Sequence, residues 1–184
     1  RRQPSDRGQY SSSGMRDMVL RMETLPQTTA CFGCGHGNPT GLSLKMRTDG
    51  KAVYADWTPR QEHAGFSHAV HGGVIATVVD EMMAWACGIL GGKFAYSVDM
   101  NIRYHKVIEP GMQIQCMGNL DENRRGKLFL ASAQLMMEDT KAASGSAKFF
   151  PMREHQESML QSEFGNQWEE IQGAMNKYRI PHPI

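Results

Sequence analysis

Neither sign of charge dominates this chain: its 184 residues carry 20 Lys and Arg against 19 Asp and Glu, a formal net charge of +1 at pH 7. Without a basic excess there is no electrostatic case for nucleic acid or for an acidic membrane surface as a partner. Cysteine is scarce, at four residues. So few thiols in a chain this long do not make a disulfide scaffold, and the cytoplasm is the expected compartment. The opening RRQPSDRGQYSSSG lacks the central apolar segment of a signal peptide. It is polar, Ser-rich and without period, so residues 1–27 are expected to be a disordered tail, with a short helix weakly signalled over 18–22. No internal repeat and no second domain are evident.

What the chain has is apolar content, 40% of its residues, enough for one real core. Its 14 methionines fill gaps in that core and would make a ligand cleft adaptable. Residues 72–92 read GGVIATVVDEMMAWACGILGG, where only Asp80, Glu81 and the Cys87 thiol can ionise. The run is too apolar for a solvated surface helix, and too short and too acidic to cross a membrane. It is expected to be the buried central helix of a globular domain. A carboxylate carried into such a place is costly unless something offsets it, and chemistry is the commonest reason to keep one there.

Strand patterns surround this helix. Leu42, Leu44 and Met46 alternate with polar residues, Asp49-Gly50 supplies a turn, and residues 52–57 complete a hairpin. After Gly92, Val98, Met100, Ile102 and Tyr104 share one strand face, while Ser97, Asp99, Asn101, Arg103 and His105 share the other. Further strands are expected over 112–116, 128–137 and 143–150. The sum is an α+β domain over residues 28–152, with an antiparallel sheet of about six strands wrapped around one long central helix. Beyond it, Leu160, Phe164, Trp168, Ile171 and Met175 mark an amphipathic helix over 154–178, weakened by Gly165 and Gly173 and expected to pack on its own domain or on a neighbouring subunit.

The chemistry concentrates at the start of the central helix. Gly72 and Gly73 expose backbone N–H groups of its first turn, where the helix dipole favours negative charge, so an oxyanion site is expected there. Asp80 lies on the same face about 10 Å further along the axis. One carbonyl cannot touch both, so cooperation between them requires two copies of the chain. Glu81 points about 100° away, toward a rim or structural role. Cys31 and Cys34 form a CxxC, but zinc wants four ligands and no second pair lies at suitable spacing. A tight Gly-assisted turn, with no metal, is the expected role.

Three segments carry a family resemblance: Cys31-Phe32-Gly33-Cys34-Gly35 running into Asn38-Pro39-Thr40-Gly41-Leu42; His71-Gly72-Gly73 through Asp80-Glu81; and Ser97-Val98-Asp99-Met100-Asn101-Ile102-Arg103-Tyr104. Over residues 31–151 the chain resembles the hotdog-fold thioesterases of the PaaI-like group, in the 4-hydroxybenzoyl-CoA thioesterase superfamily. The resemblance implies hydrolysis of an acyl-CoA thioester by a homodimer or dimer of dimers, without a cofactor. Asp80 would be general base or nucleophile, Gly73 N–H the carbonyl donor, His71 the brace of the turn, and Ser97 the holder of the water or carboxylate. Gly72 and Glu81 would border the substrate. Where many relatives carry an Asn, six residues before the motif histidine, this chain has Gly65, which leaves His63 or His68 as substitutes. Arg124 and Arg125, in a loop between strands, are the leading candidates for the CoA phosphates, with Arg103, Lys106 and Lys127 behind them. The alternative implied by the same fold is a hotdog domain that binds acyl-CoA without hydrolysing it.

Overall fold

The computed structural model of the chain describes residues 22–181. Its strands in chain order are β1 (Glu23–Thr24), β2 (Arg47–Thr48), β3 (Val53–Trp57), β4 (Ala64–Phe66), β5 (Ala69–Val70), β6 (Ala95–Tyr104), β7 (Ile114–Asn123), β8 (Phe129–Met137) and β9 (Thr140–Pro151). Helix α1 (Gly72–Gly91) falls between β5 and β6, and α2 (Glu157–Phe164) and α3 (Trp168–Tyr178) close the described chain. Seven strands form one antiparallel sheet in the order β1-β2-β3-β7-β8-β9-β6, and β4 and β5 form a separate hairpin. Helix α1 packs on β3, β6, β7, β8 and β9, as an antiparallel sheet wrapped around a central helix.

Twelve of the twenty residues of α1 are buried, from Ile75 to Gly91. By length and mean hydropathy the helix is apolar enough to span a bilayer. Its shortness and acidity therefore do not exclude that, contrary to the sequence expectation. Packing in the sheet is what occupies its apolar surface. The residues left partly open, among them Gly73, Ala76, Thr77, Asp80 and Ala84, run as one stripe of small side chains along the helix.

Several expectations need correction. Leu42, Leu44 and Met46 alternate in burial as a strand would, but only Arg47–Thr48 pairs with β3. Upstream, Leu42 N–H donates to Phe32 O at 2.7 Å and Leu44 N–H to Gly33 O at 3.0 Å. The turn at Cys31 thus takes the backbone groups that a ladder would use. Order begins before Cys31: Glu23 and Thr24 form an edge strand, and Leu25 is buried. Glu23 also accepts hydrogen bonds from Lys177 and from Tyr178 Oη. The rest of the expected tail, and all of the 18–22 helix but Met22, lies outside the described residues.

The C-terminal segment packs on its own domain, but as two helices. Gly165 has φ +54 and ψ −124, which ends α2 and reorients the chain before α3. Phe164 and Trp85 meet edge to face at 5.9 Å, with Phe94 beside both. The β6 strand departs from simple alternation. Ser97 pairs with Phe149 and Asp99 with Lys148, so Val98 is a bulge. Ser97 therefore shares the face of Met100, Ile102 and Tyr104, toward α1, and not that of Asp99 and Asn101.

Candidate active site

His71 is the N-cap of α1, with φ −60 and ψ 133. Its Nδ1 accepts the Gly73 N–H at 3.0 Å, so the neutral ring carries its proton on Nε2. Val74 and Ile75 N–H groups both reach His71 O, at 2.9 and 3.2 Å. Gly72 N–H is then the first-turn donor with no acceptor among the described residues. This corrects the expectation for Gly73, whose N–H is held by the cap; the open donor is Gly72. Two long-range bonds hold the corner: His71 N–H to His63 O at 2.8 Å and Tyr104 Oη to Gly72 O at 3.0 Å. Beside Gly72 a cleft of about 320 Å³ is lined by Val70, Ile75, Tyr104, Lys106 and Ile108.

Asp80 lies eight residues beyond Gly72, roughly 12 Å along the axis at about 1.5 Å per residue. Its Oδ1 is buried and accepts no hydrogen bond from any described residue. Burial raises its pKa above the ordinary carboxylate value, and the Ser97 hydroxyl opposes that shift. The bulge at Val98 is what lets Ser97, on β6, act on a group of α1. An acceptor buried without a partner is rare enough in folded proteins to need an explanation, and a reacting proton is one.

Comparison with known proteins bears on the fold and on the segment that holds these residues. The family model of the thioesterase superfamily matches residues 68–125, which include His71, Gly72, Gly73, Asp80 and Ser97. That match spans about a third of the chain, the part that carries the start of α1, Asp80 and Ser97. Among solved structures it resembles zebra fish thioesterase superfamily member 2, with 21% identity and a TM-score of 0.52 over 77% of this chain and 88% of that one. A thioesterase superfamily protein from Shewanella loihica matches at 22% identity and TM-score 0.51, covering 60% of this chain and 91% of that one. The PaaI protein of E. coli, from the phenylacetic acid degradation operon, matches at 14% and 0.50, covering 54% and 76%. At these identities the likeness is one of fold, the hotdog fold. No curated protein matches in sequence.

The remaining candidates do not all converge on the start of α1. Glu81 faces the opposite way: Trp85 Nε1 donates to its Oε1 at 3.0 Å, and Cys31 Sγ lies 3.6 Å from the same oxygen. Burial pushes Glu81 up to about 7. The Cys34 thiol and nearby N–H groups hold Cys31 below the usual thiol value, and Cys31 in turn holds Cys34 above it. No sequence pattern joins Glu81 to a motif fifty residues away. This cluster was accordingly missed.

His63 is buried, at 4% exposure, against the Trp57 ring. Its Nδ1 accepts Arg60 N–H at 3.0 Å, and its Nε2 is buried without a partner among the described residues. A side chain at Gly65 would be tight, since a Cβ there would lie 3.0 Å from His71 Cδ2 and 3.1 Å from His71 Cα. His68 is exposed in the turn between β4 and β5, beside Phe66. Arg124 is bonded twice to Glu122, at 2.9 and 3.0 Å. Arg124 and exposed Arg125 sit in the β7–β8 turn just before Phe129, whose ring meets Gly91 at the far end of α1 from Gly72. The sequence expectation for these two arginines thus meets a turn remote from Gly72 within the one chain.

Proposed function

We propose that the chain is an acyl-CoA thioesterase whose sites are shared between two copies. Asp80 of one copy and Gly72 N–H of the other act on the same thioester. The carbonyl oxygen takes the Gly72 N–H and the dipole of α1 as its oxyanion partners. Asp80 supplies the attack, either by taking a proton from the attacking water or directly through its carboxylate. The C–S bond then breaks, and the CoA thiolate leaves and is protonated. After direct attack, water hydrolyses the resulting acyl–Asp80 anhydride and frees the acid. Ser97 steadies the carboxylate. Lys106, which lines the Gly72 cleft, is better available to a CoA phosphate than Arg124, which Glu122 holds.

The observation that carries this reading is the unpartnered, buried Oδ1 of Asp80 on a helix otherwise given to the core. The pairing of copies is supported by β6, a ten-residue strand at the edge of the sheet whose Tyr96, Val98, Met100 and Tyr104 are 38–52% exposed. Such an edge presents unused backbone groups to a second chain. The small-residue stripe around Asp80 would let two α1 helices approach.

Release of free CoA from a panel of acyl-CoAs, measured for wild type beside Asp80→Asn, tests the proposal. Turnover of any member, reduced about a hundredfold or more in the variant as for loss of a general base, supports it. Binding of acyl-CoA by both proteins with turnover by neither would make the domain a binding module.

A further inference from the structure

We propose that Cys31, Cys34 and Glu81 bind a divalent metal ion of zinc's chemistry, with its fourth coordination position facing a cavity beside α1. The turn at Cys31 is shaped around its sulfur. Gly35 N–H donates to Cys31 O at 2.9 Å and closes the turn, while Gly33 N–H donates to Cys31 Sγ at 3.3 Å. Glu81 comes to this turn from α1, with Oε1 and Oε2 at 3.6 and 3.7 Å from Cys31 Sγ. The two sulfurs and a carboxylate oxygen all lie within 4.8 Å of one another.

The separation of Cys31 Sγ from the Glu81 oxygens suits a tetrahedral ion. With Zn–S near 2.3 Å and Zn–O near 2.1 Å, the sulfur–oxygen edge of the tetrahedron is about 3.6 Å. Each ligand also has an outer partner of the kind that orients metal ligands. Trp85 Nε1 donates to Glu81 at 3.0 Å, Thr28 Oγ1 lies 3.2 Å from Cys34 Sγ, and Gly33 N–H reaches Cys31. A Cβ at position 33 would sit 2.4 Å from Glu81 Oε2, so a glycine is needed for the carboxylate to approach the turn. Three protein ligands leave one position open, as in sites where zinc meets a water or a small ligand. That position faces a cavity of about 430 Å³ lined in part by Tyr96, Met152, Leu160 and Phe164. Binding would displace the thiol protons as the sulfurs become thiolates. The ion would tie the Cys31 turn to α1 through the residue that follows Asp80.

The full chain, purified without chelator from zinc-containing medium, should carry one zinc ion, and the Cys31→Ser/Cys34→Ser double variant none. Stripped wild type titrated with Co²⁺ should show a thiolate-to-cobalt charge-transfer band in the near ultraviolet, a readout that needs no variant to fold. Glu81→Gln should weaken Co²⁺ binding by at least the tenfold that loss of an outer partner costs. No zinc above the double variant's level, together with no charge-transfer band, would overturn the proposal. So would a disulfide between Cys31 and Cys34 in the isolated protein whose reduction restores no metal uptake.

Discussion

The imidazole of His71 and the amide of Gly73 close the first turn of α1 on each other, Nδ1 to N–H at 3.0 Å. The bond removes Gly73 from the set of donors offered to a ligand and leaves Gly72 N–H pointing out of the helix end. It also sets the tautomer of His71, since a ring nitrogen that accepts must leave the proton on the other. The motif histidine thereby decides which glycine N–H stays open at the start of the helix.

Loss of that cap should be read first in stability. His71→Ala is expected to cost about 0.5–2 kcal/mol, the range for removing a side-chain N-cap. His71→Asn, which can accept the same N–H, should recover most of it. Thermal denaturation of the three proteins checks this. Equal melting temperatures for Ala and wild type would show that the bond does not stabilise the helix.

Gly72→Pro isolates the proposed oxyanion donor. Proline is well tolerated at the first helical position, where its missing N–H has no helical partner, and His71 already has the extended backbone that precedes proline. A Cβ at Gly72 meets the Tyr104 Oη at an ordinary 3.5 Å. Turnover should fall about 10²–10³-fold, the scale for losing one oxyanion-hole donor, at unchanged melting temperature. Retained turnover would move the carbonyl site elsewhere.

Placing at position 65 the asparagine that the family resemblance implies should harm this chain. At Gly65 the new Cβ would press on His71 at 3.0–3.2 Å, shifting the residue that caps α1. Gly65→Asn is expected to destabilise by about 1–3 kcal/mol, as overpacking does, and to lower turnover. Chemical denaturation decides it, and a variant of unchanged midpoint with raised turnover would contradict the packing argument.

His63 makes stability depend on pH. Burial, followed by the charge of Arg60, lowers its folded pKa below the 6.5 of an unperturbed histidine. The unfolded chain therefore binds the proton more readily. The stabilisation from a neutral His63 is complete above pH 6.5 and is lost as pH falls toward the lowered folded value, by at most about 1.4 kcal/mol per pH unit for one proton. Denaturation midpoints between pH 7.5 and 5 should fall more steeply for wild type than for His63→Gln. Parallel slopes would remove His63 from the account.

Much of this architecture was legible in the residue order. The apolar run carrying Asp80, the alternation along β6, β8 and β9, and the two glycines opening α1 are local patterns, because each reports which side of an element faces the core. Gly165 stood out as a weak point of the C-terminal helix for the same reason. Other features were not local. The bulge at Val98 depends on register with β9, and it turns Ser97 toward Asp80 where alternation alone turned it away. The meeting of Glu81 with Cys31 depends on how the turn at Cys31 folds over α1. The choice of Gly72 over Gly73 depends on the rotation of one imidazole. Periodicity settles burial, but which distant polar groups meet is decided only when strands take their register and the helix lies down on the sheet.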